Sequence, residues 1–295
     1  MDTLVSALEE PRYCYRHPDR ETGLSCSECG RPICYECMTP APVGLRCPEH
    51  SGKPQGLQRV TRATQRTVTG VGGRRMNAVT IALIAINVGV YLAELAAGGN
   101  QDGTGNTIFD HGVLYLPFVA NGDWWRLLTA AFLHYGIFHL AVNMYSLYWV
   151  GSLLEHVIGR WKFLLLYLAS GLAGSAGALI VTPHAATVGA SGAIFGILGA
   201  LYVLERNGHI ASGGQIAGLI VLNLVITLAF SGLAFGSATG LQISLGGHVG
   251  GLLGGGLAMW LLLQVRRSDL WSVVALVGVA AASVLLAYAK VHGYK

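Results

Sequence analysis

Apolar residues gather in long runs after residue 76, and these runs set the first expectation for the fold. They predict seven membrane-spanning helices, near residues 77–97, 127–150, 162–182, 189–204, 213–230, 243–265 and 270–289. A helix needs about 20 mostly apolar residues to cross a hydrocarbon core about 30 Å thick. The fourth run is short and Gly-rich, so hydropathy alone ranks it low. Upstream the pattern changes. Residues 11–50 are rich in Cys, Pro and charge and hold no long apolar run. Residues 51–76 (SGKPQGLQRVTRATQRTVTGVGGRRM) are polar, basic and Gly/Thr-rich, the composition of a flexible linker.

Composition agrees with the runs. The chain has 295 residues, 53% hydrophobic and only 12% charged, whereas soluble domains average ~25% charged. That excludes an ordinary soluble protein, and an all-α polytopic membrane bundle with a small N-terminal domain is expected. The net charge of +4 matters less than its placement. Arg59, Arg62, Arg66, Arg74 and Arg75 precede the first run, and Arg160 and Lys162 separate the second from the third. Arg206 follows the fourth, and Arg266 and Arg267 follow the sixth. The alternate loops are nearly free of Lys and Arg until Arg126, at the start of the second run. The positive-inside rule therefore predicts a multi-pass cell-membrane protein with a cytoplasmic N-terminus and, after seven spans, an extracellular C-terminus. Lys290 and Lys295 lie on the less favoured side, at the far end, where they weigh least. The opening residues MDTLVSALEEPRYC lack a positive n-region followed by an apolar h-region, so no cleavable signal peptide is expected.

All six cysteines fall between Cys14 and Cys47. With two histidines they form four pairs of one spacing: Cys14-x2-His17, Cys26-x2-Cys29, Cys34-x2-Cys37 and Cys47-x2-His50. A two-residue gap lets one tight turn aim both side chains at a single metal, and eight such ligands suffice for two tetrahedral zinc ions. The short Cys29-to-Cys34 spacing favours an interleaved arrangement, pairs one and three on one ion, pairs two and four on the other. Closed four-ligand shells of this kind are structural. A disulfide framework is the alternative, and the cytoplasmic placement argues against it. One or two structural zinc ions are therefore expected. The neighbouring arginines are better explained by topology and anionic lipid heads than by nucleic acid, which is not an expected partner.

Four residues of the apolar runs carry candidate chemistry. Ser191 opens the fourth run within Gly189-Ala190-Ser191-Gly192, and His248 lies in the sixth within Gly246-Gly247-His248-Val249-Gly250-Gly251. His139 and Asn143 are four residues apart and share a helix face. Singly each has an ordinary reading, a serine bonding its own helix or an asparagine bridging two helices, although ionisable residues inside membranes are rare and usually functional. Together they say more. Runs four and six enter from the same predicted side, which puts Ser191 and His248 at similar depth. Small residues at Gly192, Gly196 and Gly199, and at Gly247, Gly251, Gly254 and Gly255, would let two backbones approach closely. A serine hydroxyl needs an adjacent base to become a nucleophile, and His248 suits that role. The oxyanion needs preorganised donors; the Ser191 N–H, His139 and Asn143 are the candidates. No acidic residue lies near His248 in the runs, and Glu94 and Asp110 are candidates for a third member on sequence grounds only, so a Ser–His dyad is the simpler expectation.

These residues resemble the rhomboid family of intramembrane serine proteases over roughly residues 77–265. The resemblance rests on Gly189-Ala190-Ser191-Gly192, His248-x2-Gly251-x3-Gly255, His134-x4-His139-x3-Asn143, Gly151-x3-Glu155-x3-Gly159 and Trp125-Arg126. It implies a six-helix core at 77–265 whose fourth helix starts at the serine, in a water-filled cavity open to the outside. It also implies Ser191 as nucleophile, His248 as general base and the Ser191 N–H, His139 and Asn143 as oxyanion donors, with no metal in catalysis. Phe195 matches the aromatic position that packs on the histidine, Arg126 and Glu155 match structural positions, and 231–242 would cap the site. Substrates would be single-span membrane proteins with helix-destabilising residues near the cleavage point. The run within 266–295 is an addition to that core. Residues 11–50 resemble B-box-type zinc fingers, which implies a cytoplasmic protein partner. Rival readings fare worse. Catalytically dead relatives usually lack the serine or the histidine, a transporter should show an inverted repeat or an internal charge pair, and a mere anchor would make five motifs coincidental.

Overall fold

Glu155 and Thr80, 75 residues apart in sequence, meet at the start of the helical bundle, and that contact explains how its first helix begins. The computed structural model describes residues 11–41, 44–51, 77–210, 213–231, 243–265 and 268–293. The linker beyond Ser51, residues 232–242 of the expected capping loop, and Arg266 and Arg267 lie outside the described residues. The chain divides into two compact units, Met1–Met76 and Asn77–Lys295.

In the first unit β1 (Tyr13–Cys14) pairs antiparallel with β2 (His17–Glu21), and β3 (Thr39–Pro40) with β4 (Leu45–Arg46). One helical turn, Pro48–Ser51, follows. Its buried cluster is Cys14, Cys26, Ile33, Cys34, Cys37, Met38 and Cys47. Five of those seven are cysteines, so apolar burial alone is a weak source of stability, as expected for so small a domain.

Among its described residues, the second unit's regular elements are helices. Its principal helices are α1 (Ala78–Ala96), α2 (Gly136–Ile158), α3 (Arg160–Val181), α4 (Ser191–Arg206), α5 (Gln215–Phe230), α6 (Leu245–Gln264) and α7 (Asp269–His292). Five are long and apolar enough to cross a membrane; α4 and α5, with 16 residues each, are shorter. Asn77 gives α1 no side-chain cap. The Glu155 carboxylate, from α2, does so instead, accepting from Val79 N (3.1 Å), Thr80 N (2.8 Å) and Thr80 Oγ1 (2.7 Å). Negative charge at the exposed N–H groups of a helix start is doubly favourable.

α4 is the buried centre, with ten of its 16 residues buried. The glycines permit this. A Cβ on Gly251 would collide with the Gly192 carbonyl, one on Gly255 with the Gly196 carbonyl, and one on Gly199 with the Leu252 carbonyl. The expected α6 stripe divides in two: Gly251 and Gly255 face α4, whereas Gly254 faces Ala173 of α3, as do Gly246 and Gly250 with Gly177. α6 is therefore wedged between two helices by two glycine faces. α7 buries one stripe, Ser272, Leu276, Val279, Ser283, Ala287 and Val291, and lies along α3.

The second span departs from expectation. Its helix starts at Gly136 and runs to Ile158, rather than spanning 127–150. Residues Arg126–Thr129 and Ala130–Phe132 form separate short turns instead. The apolar run there is spent elsewhere: Leu127 and Ala130 cluster with Leu114, Leu116 and Val119 against α3 and α7. Arg126 holds this layer together, bonding Asp123 (2.9 Å) and the carbonyls of Asp110 (2.7 Å) and Val113 (3.0 Å) from a buried position. Satisfied backbone carbonyls are what let such a loop lie inside an apolar unit.

Candidate active site and metal-binding clusters

The apolar layer after α1 positions the segment that leads into α4. Leu114 and Thr187 exchange backbone hydrogen bonds (3.1 and 2.9 Å), and Gly189 N donates to the Ala130 carbonyl at 2.9 Å. Gly189 has φ +120°, open to glycine and strained for other residues. The turn delivers Ser191 to the first position of α4.

There His248 Nε2 lies 2.8 Å from Ser191 Oγ, a hydrogen bond between α6 and α4. The imidazole is buried and stacked on Phe195, with ring centroids 4.1 Å apart and planes at 19°. Its other nitrogen, Nδ1, lies 2.6 Å from Thr227 Oγ1 of α5. Neither sequence candidate for a third member occupies that position. Glu94 is buried on α1 beside the His134 backbone, and Asp110 offers its carbonyl to Arg126. Thr227 escaped the sequence reading because a threonine in an apolar helix is ordinarily accounted for by its own backbone. Its only signal is that it and Asn223 are the two polar residues within the run 216–230.

Ser191, His248 and His139 share the wall of a cavity of about 570 Å³ whose other lining includes Tyr135, Phe138, Ile226 and Phe230. His139 Nδ1 accepts from Tyr135 N at 3.3 Å, which leaves the ring proton on Nε2. Asn143 is buried one turn along, donating Nδ2 to the His139 carbonyl at 2.9 Å, and is not on the cavity wall. The structure thus gathers Ser191, His248, Phe195 and His139 at one site, with Asn143 buried one helical turn from His139.

In the other unit the eight Cys and His residues form two groups, Cys14–His17–Cys34–Cys37 and Cys26–Cys29–Cys47–His50, with ligand atoms within 4.8 Å of one another in each. The grouping is the interleaved one. Tetrahedral zinc, with Zn–S about 2.3 Å and Zn–N about 2.0 Å, places ligand atoms roughly 3.5–3.8 Å apart. Here His17 Nδ1 lies 3.8, 3.4 and 3.3 Å from Cys14, Cys34 and Cys37 Sγ, and Cys29 and Cys47 Sγ are 3.8 Å apart. All six cysteines are free thiols. Burial pulls the Cys14 thiol upward, but backbone N–H groups and His17 outweigh it and bring it down to about 6. Burial likewise opposes ionisation of Cys26, yet the N–H groups of Cys47, Cys29 and Glu28 lower it to about 6. Cys37 is driven the other way, to about 12, by burial and by Cys14 and Cys34 beside it. Both donor sets fit zinc.

Comparison with known proteins adds an independent line. Residues 121–265 match the Rhomboid domain. The chain is 39% identical over 169 residues to the rhomboid protease GluP of Bacillus subtilis, covering 56% of this chain and 31% of that protein. It is 40% identical over 152 residues to YdcA of the same organism, whose name places it provisionally among rhomboid proteases, covering 50% of this chain and 72% of YdcA. A third relative, 31% identical over 120 residues, is Inactive RHOMBOID-like protein 8 of Arabidopsis thaliana, with 40% of this chain and 34% of that protein covered. The chain spans less than a third of GluP's length and most of YdcA's.

Proposed function

This chain belongs to the rhomboid family of multi-pass membrane proteins, and from that premise we propose that it is a serine endopeptidase cutting transmembrane protein substrates with a Ser191–His248 dyad. One observation carries the reading: the 2.8 Å Oγ–Nε2 contact lies on the wall of a cavity large enough for several atoms of an extended peptide. Relatives of this family are named both as proteases and as inactive, so the name alone does not decide activity. A nucleophile held against a base supports the active reading.

The chemistry follows from the placement. Ser191 Oγ bonds to the scissile carbonyl carbon as its proton passes to His248 Nε2. Negative charge on the carbonyl oxygen meets the Ser191 N–H, at the first turn of α4 where amide protons lack helical partners, and the His139 Nε2–H. Asn143, one turn from His139 on the same helix, gives one amide proton to the His139 carbonyl and keeps a second, which makes it the third proposed donor. Collapse breaks the C–N bond, and the amine leaves with the proton from His248. Water, deprotonated by Nε2, then hydrolyses the acyl-serine and returns a proton to Ser191. Stacking on Phe195 holds the ring in plane throughout.

Charge placement supports an orientation. Arg206 ends the helix that Ser191 begins, and Arg160 and Lys162 open α3. If those ends face the cytoplasm, the N-terminus is cytoplasmic, the C-terminus extracellular, and the dyad lies toward the outside. The corresponding domains are a zinc module at 11–50, a linker at 51–76, the protease core at 77–265 and an added helix at 266–295. With closed ligand shells the module has no open coordination position, which favours a structural, partner-binding role for two zinc ions.

The test is cleavage of a single-span reporter by the full chain in proteoliposomes. Ser191→Ala and His248→Ala should each lower cleavage on the order of 10³-fold or more. Wild-type rates in either variant would end the proposal.

A further inference from the structure

α5 buries two of its 16 residues, Ile216 and Thr227. Thr227 uses its burial for polar contacts: Oγ1 lies 2.7 Å from the Asn223 carbonyl oxygen and 2.6 Å from His248 Nδ1. Continuing through the ring, Nε2 is 2.8 Å from Ser191 Oγ. Four groups on three helices therefore form one line of three contacts.

Counting protons orders that line. Each hydroxyl has one proton and a neutral imidazole has one N–H, so three protons serve three contacts. In one arrangement Thr227 donates to Asn223, Nδ1–H donates to Thr227 Oγ1, and Ser191 donates to Nε2. Every contact then holds a proton. In the opposite tautomer Nε2–H points at Ser191 and Thr227 donates to Nδ1. The contact between Thr227 Oγ1 and the Asn223 carbonyl is then two oxygens with no proton between them. Helical threonines habitually bond the carbonyl four residues back, which favours the first arrangement further. Only that arrangement leaves Nε2 free to accept from Ser191.

We infer that Thr227 is a positioning residue for peptide-bond hydrolysis: its hydroxyl oxygen, committed to accept, holds His248 in the tautomer whose Nε2 is the base. The inference rests on the reading of Ser191 and His248 as the dyad. An acidic partner of a catalytic histidine acts in the same place, but a neutral hydroxyl brings no charge, so its removal costs less.

The experiment compares wild type, Thr227→Val and Thr227→Ser as full chains in detergent. Each is measured for kcat and KM on a single-span reporter, for the rate of Ser191 labelling by a fluorophosphonate, and for thermal melting. Valine keeps the shape and removes the hydroxyl. Its kcat should fall about 10- to 100-fold, the range of a hydrogen bond to a group that becomes charged. Its KM should stay within about twofold, its labelling should slow in parallel, and serine should restore most of the rate. A valine variant with wild-type kcat and labelling overturns the inference, and so does a folded serine variant no faster than valine. If valine melts early, Thr227→Ala, which empties the position, is held to the same criteria. A wild type that neither cleaves nor labels removes the dyad and this inference together; an active wild type matched by valine removes the inference alone.

Discussion

Gly189 and His139 touch: a Cβ built on Gly189 would lie 2.7 Å from Cε1 and 3.0 Å from Nε2 of the His139 ring. The residue that turns the chain into α4 is thus also the floor under one proposed oxyanion donor. Its φ of +120° disfavours any side chain, and the ring leaves no room for one.

Gly189→Ala should therefore damage turnover far more than stability. The ring must move by several tenths of an ångström at least, and a misplacement of about 1 Å at a reacting centre can cost about 10²-fold, so a loss approaching that size is expected. Turnover on a transmembrane reporter, set beside thermal melting, separates the two effects. An alanine variant that turns over normally would remove His139 from the oxyanion site.

Phe195 makes a milder prediction. Its ring contributes a stacked contact to His248, and aromatic pairs are worth about 0.5–1.5 kcal/mol beyond burial. Phe195→Leu keeps an apolar side chain there and should lower kcat about 3- to 10-fold with KM little changed. A rise in KM with unchanged kcat would show that Phe195 serves substrate binding instead.

Glu155 tests the scaffold rather than the chemistry. Its carboxylate satisfies two backbone N–H groups and a hydroxyl at the start of α1. Glu155→Gln keeps the shape but replaces one acceptor oxygen with a donor, and should destabilise the bundle by about 1–3 kcal/mol. Melting in detergent should drop, while activity per folded molecule stays near wild type. A variant that melts like wild type would show that α1 is held by packing alone.

How far the sequence exposed all this depends on what each residue has to do. Ser191 and His248 were readable because their glycine neighbours record the close approach of α4 to α6, and only glycine fits against the Gly192 and Gly196 carbonyls. The bundle was readable for the same reason that it spans: long apolar runs have few other uses. Where a run did have another use, reading failed. Leu127 and Ala130 are as apolar as a span requires, yet they pack as a loop layer, held by Arg126 through carbonyls that no pattern announces. The two faces of α6 and the role of Thr227 also needed coordinates, because helical periodicity assigns a residue to a face but does not say which helix meets that face.

For the proposed zinc binding by the two Cys/His groups, the thiol ionisation sets the direction of a pH dependence. At pH 7.5, with metal removed, Cys14 and Cys26 at about 6 are already thiolates, whereas Cys37 at about 12 keeps its proton. Zinc ligands must be deprotonated, so binding expels whatever protons remain. Of the six thiols, the two already ionised have none to give. Zinc titrated into metal-free full chain should bind at two ions per chain and release fewer than six protons, read by calorimetry in buffers of different ionisation enthalpy. The lowered thiols lose their charge as pH falls through about 6. At pH 5.5 uptake should therefore weaken, and the proton count per zinc should rise. A single zinc per chain would break the interleaved pairing, and a count unchanged between the two pH values would mean that Cys14 and Cys26 are not ionised in advance of the metal.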